Sequence, residues 1–202
     1  MKRIQMKGQI LSELIKPDTR NSAFHITPQR LYKRLEEIRL NDNVPEEISG
    51  QIKICKKLCL YSYLVYEFAT VGAQLSYFAL ETALKERLRR FYADGFDFKN
   101  LKTNIIKKEK PHSLASFESL LKDDKLRFMG VENFFKKGVT MHELINWAIS
   151  KGILRERFKG EGGIIRRLRN FYAHPTGQKV FLPYGAINHL KMNIELINSL
   201  FI

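Results

Sequence analysis

The chain has 202 residues, of which 44% are hydrophobic and 11% aromatic, so it can bury one substantial core and needs no second domain on length alone. The net charge of +14 predicts an acidic partner, and both nucleic acid and an anionic membrane surface fit that charge. Cys55 and Cys59 lack the Cys-x-x-Cys spacing of redox and zinc sites, which predicts reduced thiols. Residues 1–16 have no apolar stretch of secretory length, and we therefore expect a cytoplasmic location.

Residues 1–43 are predicted to form an N-terminal extension with one helix that packs on a larger helical domain. A short amphipathic element from Ile4 to Ile15 is ambiguous. Thr27 and Pro28 form a capped start for a helix that should run to about Leu40, before the breaking residues 41–43.

The second domain, residues 44–202, is predicted to begin with one long central helix from Pro45 to about Ala93. Its section from Leu58 to Leu80 is nearly uncharged, but Glu67 and Gln74 would be costly in lipid, so we interpret it as a core helix and expect no membrane span. A helix that is apolar on more than one face buries more than one face, and this favours a homodimer.

Residues 97–112 form a basic connector, which we expect to be either a solvated loop or a phosphate contact, within a basic insert around 97–150. Helices are predicted near Ser113–Lys125, over Thr140–Lys151 and over Tyr184–Ile202, and Thr140 and Glu143 have capping-box spacing. The predicted fold class is therefore all-α, an up-and-down helical bundle with one long central helix.

The segment from Ile164 to Pro175 is amphipathic when it is placed on a helix. Pro175 biases His174 away from the helical conformation, so the imidazole should lie at a frayed helix end near Asn170. The apolar stripe consists of Ile164, Ile165, Leu168, Phe171 and Tyr172, and the opposite face carries Arg166, Arg167, Asn170 and His174, with Arg169 on its flank.

These residue types can cut RNA without a metal. His174 can act as a general base or acid, Arg169 can stabilise the charge that develops on the phosphate, and Asn170 can orient either group. The alternative is structural, since an arginine and a histidine at a helix end also serve as a capping cation and a hydrogen-bonded imidazole.

Arg169, Asn170 and His174 resemble the signature of the HEPN superfamily of small helical domains, many of which are endoribonucleases. That signature is an arginine, often followed by asparagine, and a histidine four to six residues later, at the end of a late helix that one last helix follows. Residues 20–25 match the same string, but they lie in a polar stretch before a helix start. The resemblance implies a HEPN-like fold, a site built across a dimer, and a role for Glu81 in bracing the motif arginine, although Glu81 could equally pair with Lys85.

The resemblance implies a metal-independent endoribonuclease, acting as a toxin or abortive-infection component in phage defence, with RNA as substrate and an antitoxin or defence-system protein as partner. Arg166 and Arg167 would support the site, and no cofactor or metal is expected because the histidines show no ligand spacing. Thr176 occupies the place of a tyrosine that is modified in some family toxins, which argues against that pairing. The alternatives are a catalytically inactive HEPN-like module that binds RNA or protein, and an unrelated basic helical adaptor.

Overall fold

The computed structural model describes residues 13, 15–123, 125–129, 140–158 and 181–202. These residues are mostly helical, as predicted, with one small sheet. The helices are α1 (Arg20–Ala23), α2 (Pro28–Glu36), α3 (Glu46–Tyr61), α4 (Phe68–Phe91), α5 (Leu114–Lys122), α6 (Met141–Ser150) and α7 (Pro183–Leu200), and the strands are β1 (Phe96–Asn100), β2 (Ile106–Glu109) and β3 (Leu126–Met129). Within these ranges, none of the helices has the length and apolar character that a membrane crossing requires.

The predicted helix starts are confirmed by their caps. The Thr27 hydroxyl accepts a hydrogen bond from the Arg30 amide at 3.3 Å at the start of α2, which ends at Glu36, before the predicted end near Leu40. Thr140 and Glu143 form the predicted capping box, since the side chain of each accepts a hydrogen bond from the backbone amide of the other at 3.3 and 2.9 Å. The last helix, α7, also forms where it was predicted.

The prediction of one long central helix is wrong, because residues 62–67 separate α3 from α4. The side-chain amide of Asn21 donates to the carbonyls of Ser62 and Tyr63 at 3.2 and 2.9 Å, and the Asp18 amide donates to Tyr63 at 3.0 Å. A continuous helix would use these carbonyls for its own amides four residues later. Donors from the N-terminal segment therefore stabilise the break.

The two helices that flank this break approach each other closely at Gly72. A Cβ atom on Gly72 would lie 2.8 Å from the carbonyl oxygen of Cys55 and 2.9 Å from the Sγ atom of Cys59. Both cysteines are buried and free, as predicted, and burial raises the pKa of each thiol to about 12. Glycine is thus required at this contact because no side chain fits between the helices.

The antiparallel sheet, with strand order β2-β1-β3, was not predicted, so the fold is not strictly all-α. It occupies part of the segment that the sequence indicated as a basic connector. Phe96 and Phe98 alternate with polar residues along β1, and both are almost fully buried. The Phe96 ring stacks on Phe117 of α5 with centroids 4.6 Å apart and contacts Phe128 of β3 edge to face at 5.2 Å. Aromatic packing therefore holds this basic segment in a sheet.

The chain divides into two compact units. The first unit comprises Met1–Ala79 with Pro175–Glu195, and the second comprises Leu80–His174 with Leu196–Ile202. In the first unit, Leu31 and Leu35 of α2 are buried together with Ile48 and Ile52 of α3. The division into residues 1–43 and 44–202 stays a prediction.

Candidate functional site

The residues of the predicted nuclease motif lie outside the described residues. They are Arg166, Arg167, Arg169, Asn170 and His174. The described elements that enclose the motif in the chain are α6 before it and α7, the last helix, after it. Among the described elements, α7 is the one that follows the motif in the chain, and the predicted setting of the motif at the end of a late helix stays a prediction.

Glu81 is described, and it belongs to a small charged cluster of the second unit. Its carboxylate lies 3.1 Å from the Lys85 ammonium on the next turn of α4, and that ammonium also donates to Glu118 of α5 at 2.9 Å. Burial by itself would lower the pKa of Lys85, but the hydrogen bond to Glu118 and the charge of Glu81 outweigh it and raise the pKa. The pairing of Glu81 with Lys85 is confirmed, whereas its bracing of Arg169 stays a prediction. Two carboxylates share one ammonium here, so the three groups together carry a net negative charge.

The second match to the motif string, residues 20–25, makes structural contacts. The Arg20 guanidinium binds Asp18 and Glu67, each at 2.7 Å, and lies over the Tyr66 ring at 4.6 Å. The hydrogen bond from Arg20 lowers the pKa of Asp18 to about 2. Asn21 is 1% exposed and holds the break between α3 and α4. These side chains serve the fold, in agreement with the interpretation from sequence context.

Two further histidines make structural contacts. The Nδ1 atom of His189 lies 2.8 Å from the hydroxyl of Tyr77 in the first unit, and burial lowers the pKa of this histidine, which favours the neutral ring. In the second unit, His142 contacts the side-chain amide of Asn146 at 3.0 Å. Across the described part of the chain, no group of three histidine, cysteine or acidic residues is arranged to hold a metal ion.

A basic groove of about 610 Å³ lies between α2 and α7 of the first unit. It was not predicted from the sequence, because the residues of its two walls are far apart in the chain. The signal that could have found it is the spacing i, i+3, i+4, i+7, which the lining residues follow both from Arg30 to Glu37 and from Tyr184 to Lys191. The groove is lined by Arg30, Lys33, Arg34, Glu37, Ile38, Tyr184, Ile187, Asn188 and Lys191.

The groove combines an apolar floor with cationic walls. Ile38 and Ile187 are 5% and 2% exposed, whereas the four cations and Glu37 are exposed to solvent. The Arg34 guanidinium lies over the Tyr184 ring at 4.1 Å. Among the residues that the structure describes, none of the four cations forms an ion pair. The described lining residues carry four positive charges and one carboxylate, that of Glu37, and this balance makes the groove a site for an anion.

Comparisons of the chain with known protein families, with curated proteins and with solved structures find no match.

Proposed function

We propose that this chain is a metal-independent endoribonuclease of the HEPN type. The observation that carries the proposal is the string Arg169, Asn170 and His174, which ends shortly before the last helix of the fold. A net charge of +14 supports RNA as the substrate, since a field of this sign concentrates polyanions around the protein.

The proposed reaction is attack of a 2′-oxygen of RNA on its neighbouring phosphorus. The bond between phosphorus and the 5′-oxygen breaks, which gives a 2′,3′-cyclic phosphate and a free 5′-hydroxyl. His174 removes the proton from the 2′-hydroxyl or delivers one to the leaving oxygen. Arg169 stabilises the negative charge on the phosphate through its planar fork, and Asn170 orients the histidine or the phosphate.

Two proton transfers at opposite ends of the reaction need two groups, so the proposal includes a homodimer in which the motifs of two subunits face one scissile bond. Glu81 would brace Arg169 in this arrangement. Arg166 and Arg167 would hold the flanking phosphates.

The biological role that fits this activity is that of a cytoplasmic toxin or abortive-infection component. Cleavage of cellular RNA halts growth, so such a protein needs an antitoxin or a defence-system partner that restrains it. This part of the proposal rests on the resemblance of the motif alone.

The test is RNA cleavage by the full chain in EDTA, with His174→Ala beside the wild type. We expect products with 2′,3′-cyclic phosphate ends and a loss of about 10²–10⁴-fold in rate in the variant. His112→Ala is the matched control, since His112 is exposed and the substitution also removes one imidazole ring. Equal rates in His174→Ala and the wild type would show that His174 takes no part in cleavage and would remove the proposal.

The second candidate function is an RNA-binding module that has no catalytic activity. The basic groove favours it, because the described residues that line the groove are mostly cationic or polar and none of them belongs to the motif. The same experiment separates the two functions: retention of RNA that weakens with salt, without any new ends, identifies the module.

A further inference from the structure

The basic groove between α2 and α7 has walls that are suited to a chain of phosphates. Arg30 and Arg34 are one helical turn apart, so their positions are displaced by about 6 Å along the axis, close to the step between successive phosphates of an extended strand. Lys33 lies beside them on α2, and Lys191 faces them from α7. A strand between the helices would thus have cations on both sides.

Two of the four cations are already ordered. Arg30 donates to the backbone carbonyl of His25 at 2.9 Å, and Arg34 is held over the Tyr184 ring. Each still has other guanidinium N–H groups for a ligand, because a guanidinium carries five. A side chain that is held before binding loses less entropy on binding. Both arginines are therefore prepared for a ligand that accepts several hydrogen bonds.

From this geometry we infer that the basic groove binds the phosphodiester backbone of single-stranded RNA. The volume of about 610 Å³ is of the size that holds a drug-sized ligand, so a short section of a single strand can lie in it. The concave shape does not match a flat lipid surface. The exposed amide of Asn188, at the centre of the α7 wall, can hydrogen-bond a ribose 2′-hydroxyl or a base edge.

The choice of RNA as the polyanion rests on the proposed function, whereas the described residues that line the groove are not residues of the motif. Its role would be to hold the strand on one part of the protein while the motif acts on another section of the same strand. Such a second contact raises the effective concentration of the scissile bond at the motif.

The binding experiment uses the full chain with His174→Ala, so that RNA stays intact, and a fluorescent single-stranded RNA in EDTA over a series of salt concentrations. The groove variant is Lys33→Gln with Lys191→Gln, which removes two exposed charges that have no ion-pair partner among the described residues. The matched control is Lys53→Gln with Lys57→Gln, two exposed lysines of α3 that do not line the groove. Both variants lose the same net charge.

We expect the groove variant to bind RNA about ten-fold more weakly, with a salt slope smaller by about 1.4, because each phosphate contact on a single strand contributes about 0.7. The control should stay close to the unsubstituted protein in both respects. Equal weakening in the two variants would show that only the total charge matters, and that result would overturn the inference. Equal competition by polyglutamate of matched charge would also overturn it, since the groove would then recognise an acidic peptide.

Glu37→Gln should raise the affinity for RNA, whereas the groove variant lowers it. Misfolding would not raise the affinity. The substitution removes the one negative charge among the described lining residues, so RNA should bind more tightly. Unchanged or weaker binding in a folded Glu37→Gln protein would count against the inference. If the wild type does not cut RNA while the groove variants change binding as described, the groove inference stands and the nuclease proposal falls. If the wild type cuts RNA but the groove variants do not change RNA binding, the nuclease proposal stands and the groove inference falls.

Discussion

Replacement of Gly72 by alanine should destabilise the protein, although alanine is the better helix former. In an open helix, glycine to alanine stabilises by about 1 kcal/mol. At Gly72 the new Cβ atom would lie 2.8 Å from a backbone oxygen of α3, which moves only if the helix moves. Overpacking of this kind costs about 1–3 kcal/mol, and contact with backbone places the cost near the upper end. The expected net loss is about 1–2 kcal/mol.

Gly50→Ala is the matched control, since Gly50 also lies in a helix and no atom comes within 4 Å of a Cβ atom there. This variant should gain up to about 1 kcal/mol. The free energy of unfolding is measured by urea titration, with thermal unfolding as a second readout in which each kcal/mol moves the Tm by about 2–4 °C. The two variants should therefore lie on opposite sides of the wild type.

A double-mutant cycle with Cys59→Ala tests whether the contact with α3 causes the loss of stability in Gly72→Ala. That substitution removes the Sγ atom at 2.9 Å from the new methyl group and leaves the Cys55 carbonyl in place. We expect Gly72→Ala to cost less in the Cys59→Ala background, with a coupling of at least about 0.5 kcal/mol. If Gly72→Ala proves as stable as Gly50→Ala, the close approach of α3 and α4 is refuted.

Three further predictions concern the fold. Asn21→Ala should lower the free energy of unfolding by about 1–3 kcal/mol, measured in urea, because two backbone carbonyls lose a buried donor; an exposed asparagine such as Asn43 is the control. The hydrogen bond from Arg20 holds the pKa of Asp18 at about 2 against an ordinary 3.8, so this ion pair stabilises the fold above about pH 4 and loses its effect as the pH falls towards 2. In Arg20→Gln the pKa of Asp18, followed by NMR, should rise towards 3.8, and an unchanged value would contradict the assignment. Burial raises the pKa of Cys55 and Cys59 to about 12, so a thiol reagent at mildly alkaline pH should modify neither in the folded protein and both in urea.

Helix starts were predictable because the interactions that define them are local. Thr27 caps α2, and Thr140 forms a box with Glu143 at the start of α6. Each cap joins residues three positions apart, so the sequence spacing contains the contact.

The sheet was missed because of composition. Residues 97–112 contain many lysines, and a count of charges hides the alternation of Phe96 and Phe98 with polar neighbours along β1. The strand is stabilised by partners that are distant in the sequence, since the same aromatic cluster includes Phe117 and Phe128. A short polar strand has only a weak pattern in the sequence, and its stability comes largely from pairing with neighbouring strands.

The candidate residues also differ in whether the sequence could predict them. The motif residues Arg169, Asn170 and His174 could be named from the string alone, since that hypothesis concerns residue types and spacing along one segment. Helical spacing marks each wall of the basic groove, but it does not pair the two walls. Arg30, Lys33 and Arg34 lie on α2, and the opposite wall lies on α7, more than a hundred residues later in the chain. Four ordinary surface cations become an anion site only when the two helices lie side by side.

The sequence by itself determined the helical character of the chain, its basic charge, the free thiols and the positions where most helices begin, since these depend on composition and on hydrogen bonds between near neighbours. Tertiary structure alone decided that the chain turns between α3 and α4. No glycine or proline marks residues 62–67, and the carbonyls released there find their donors on Asn21 and Asp18, about forty residues earlier. A buried carbonyl must be satisfied, and the partner that satisfies it is chosen by the fold.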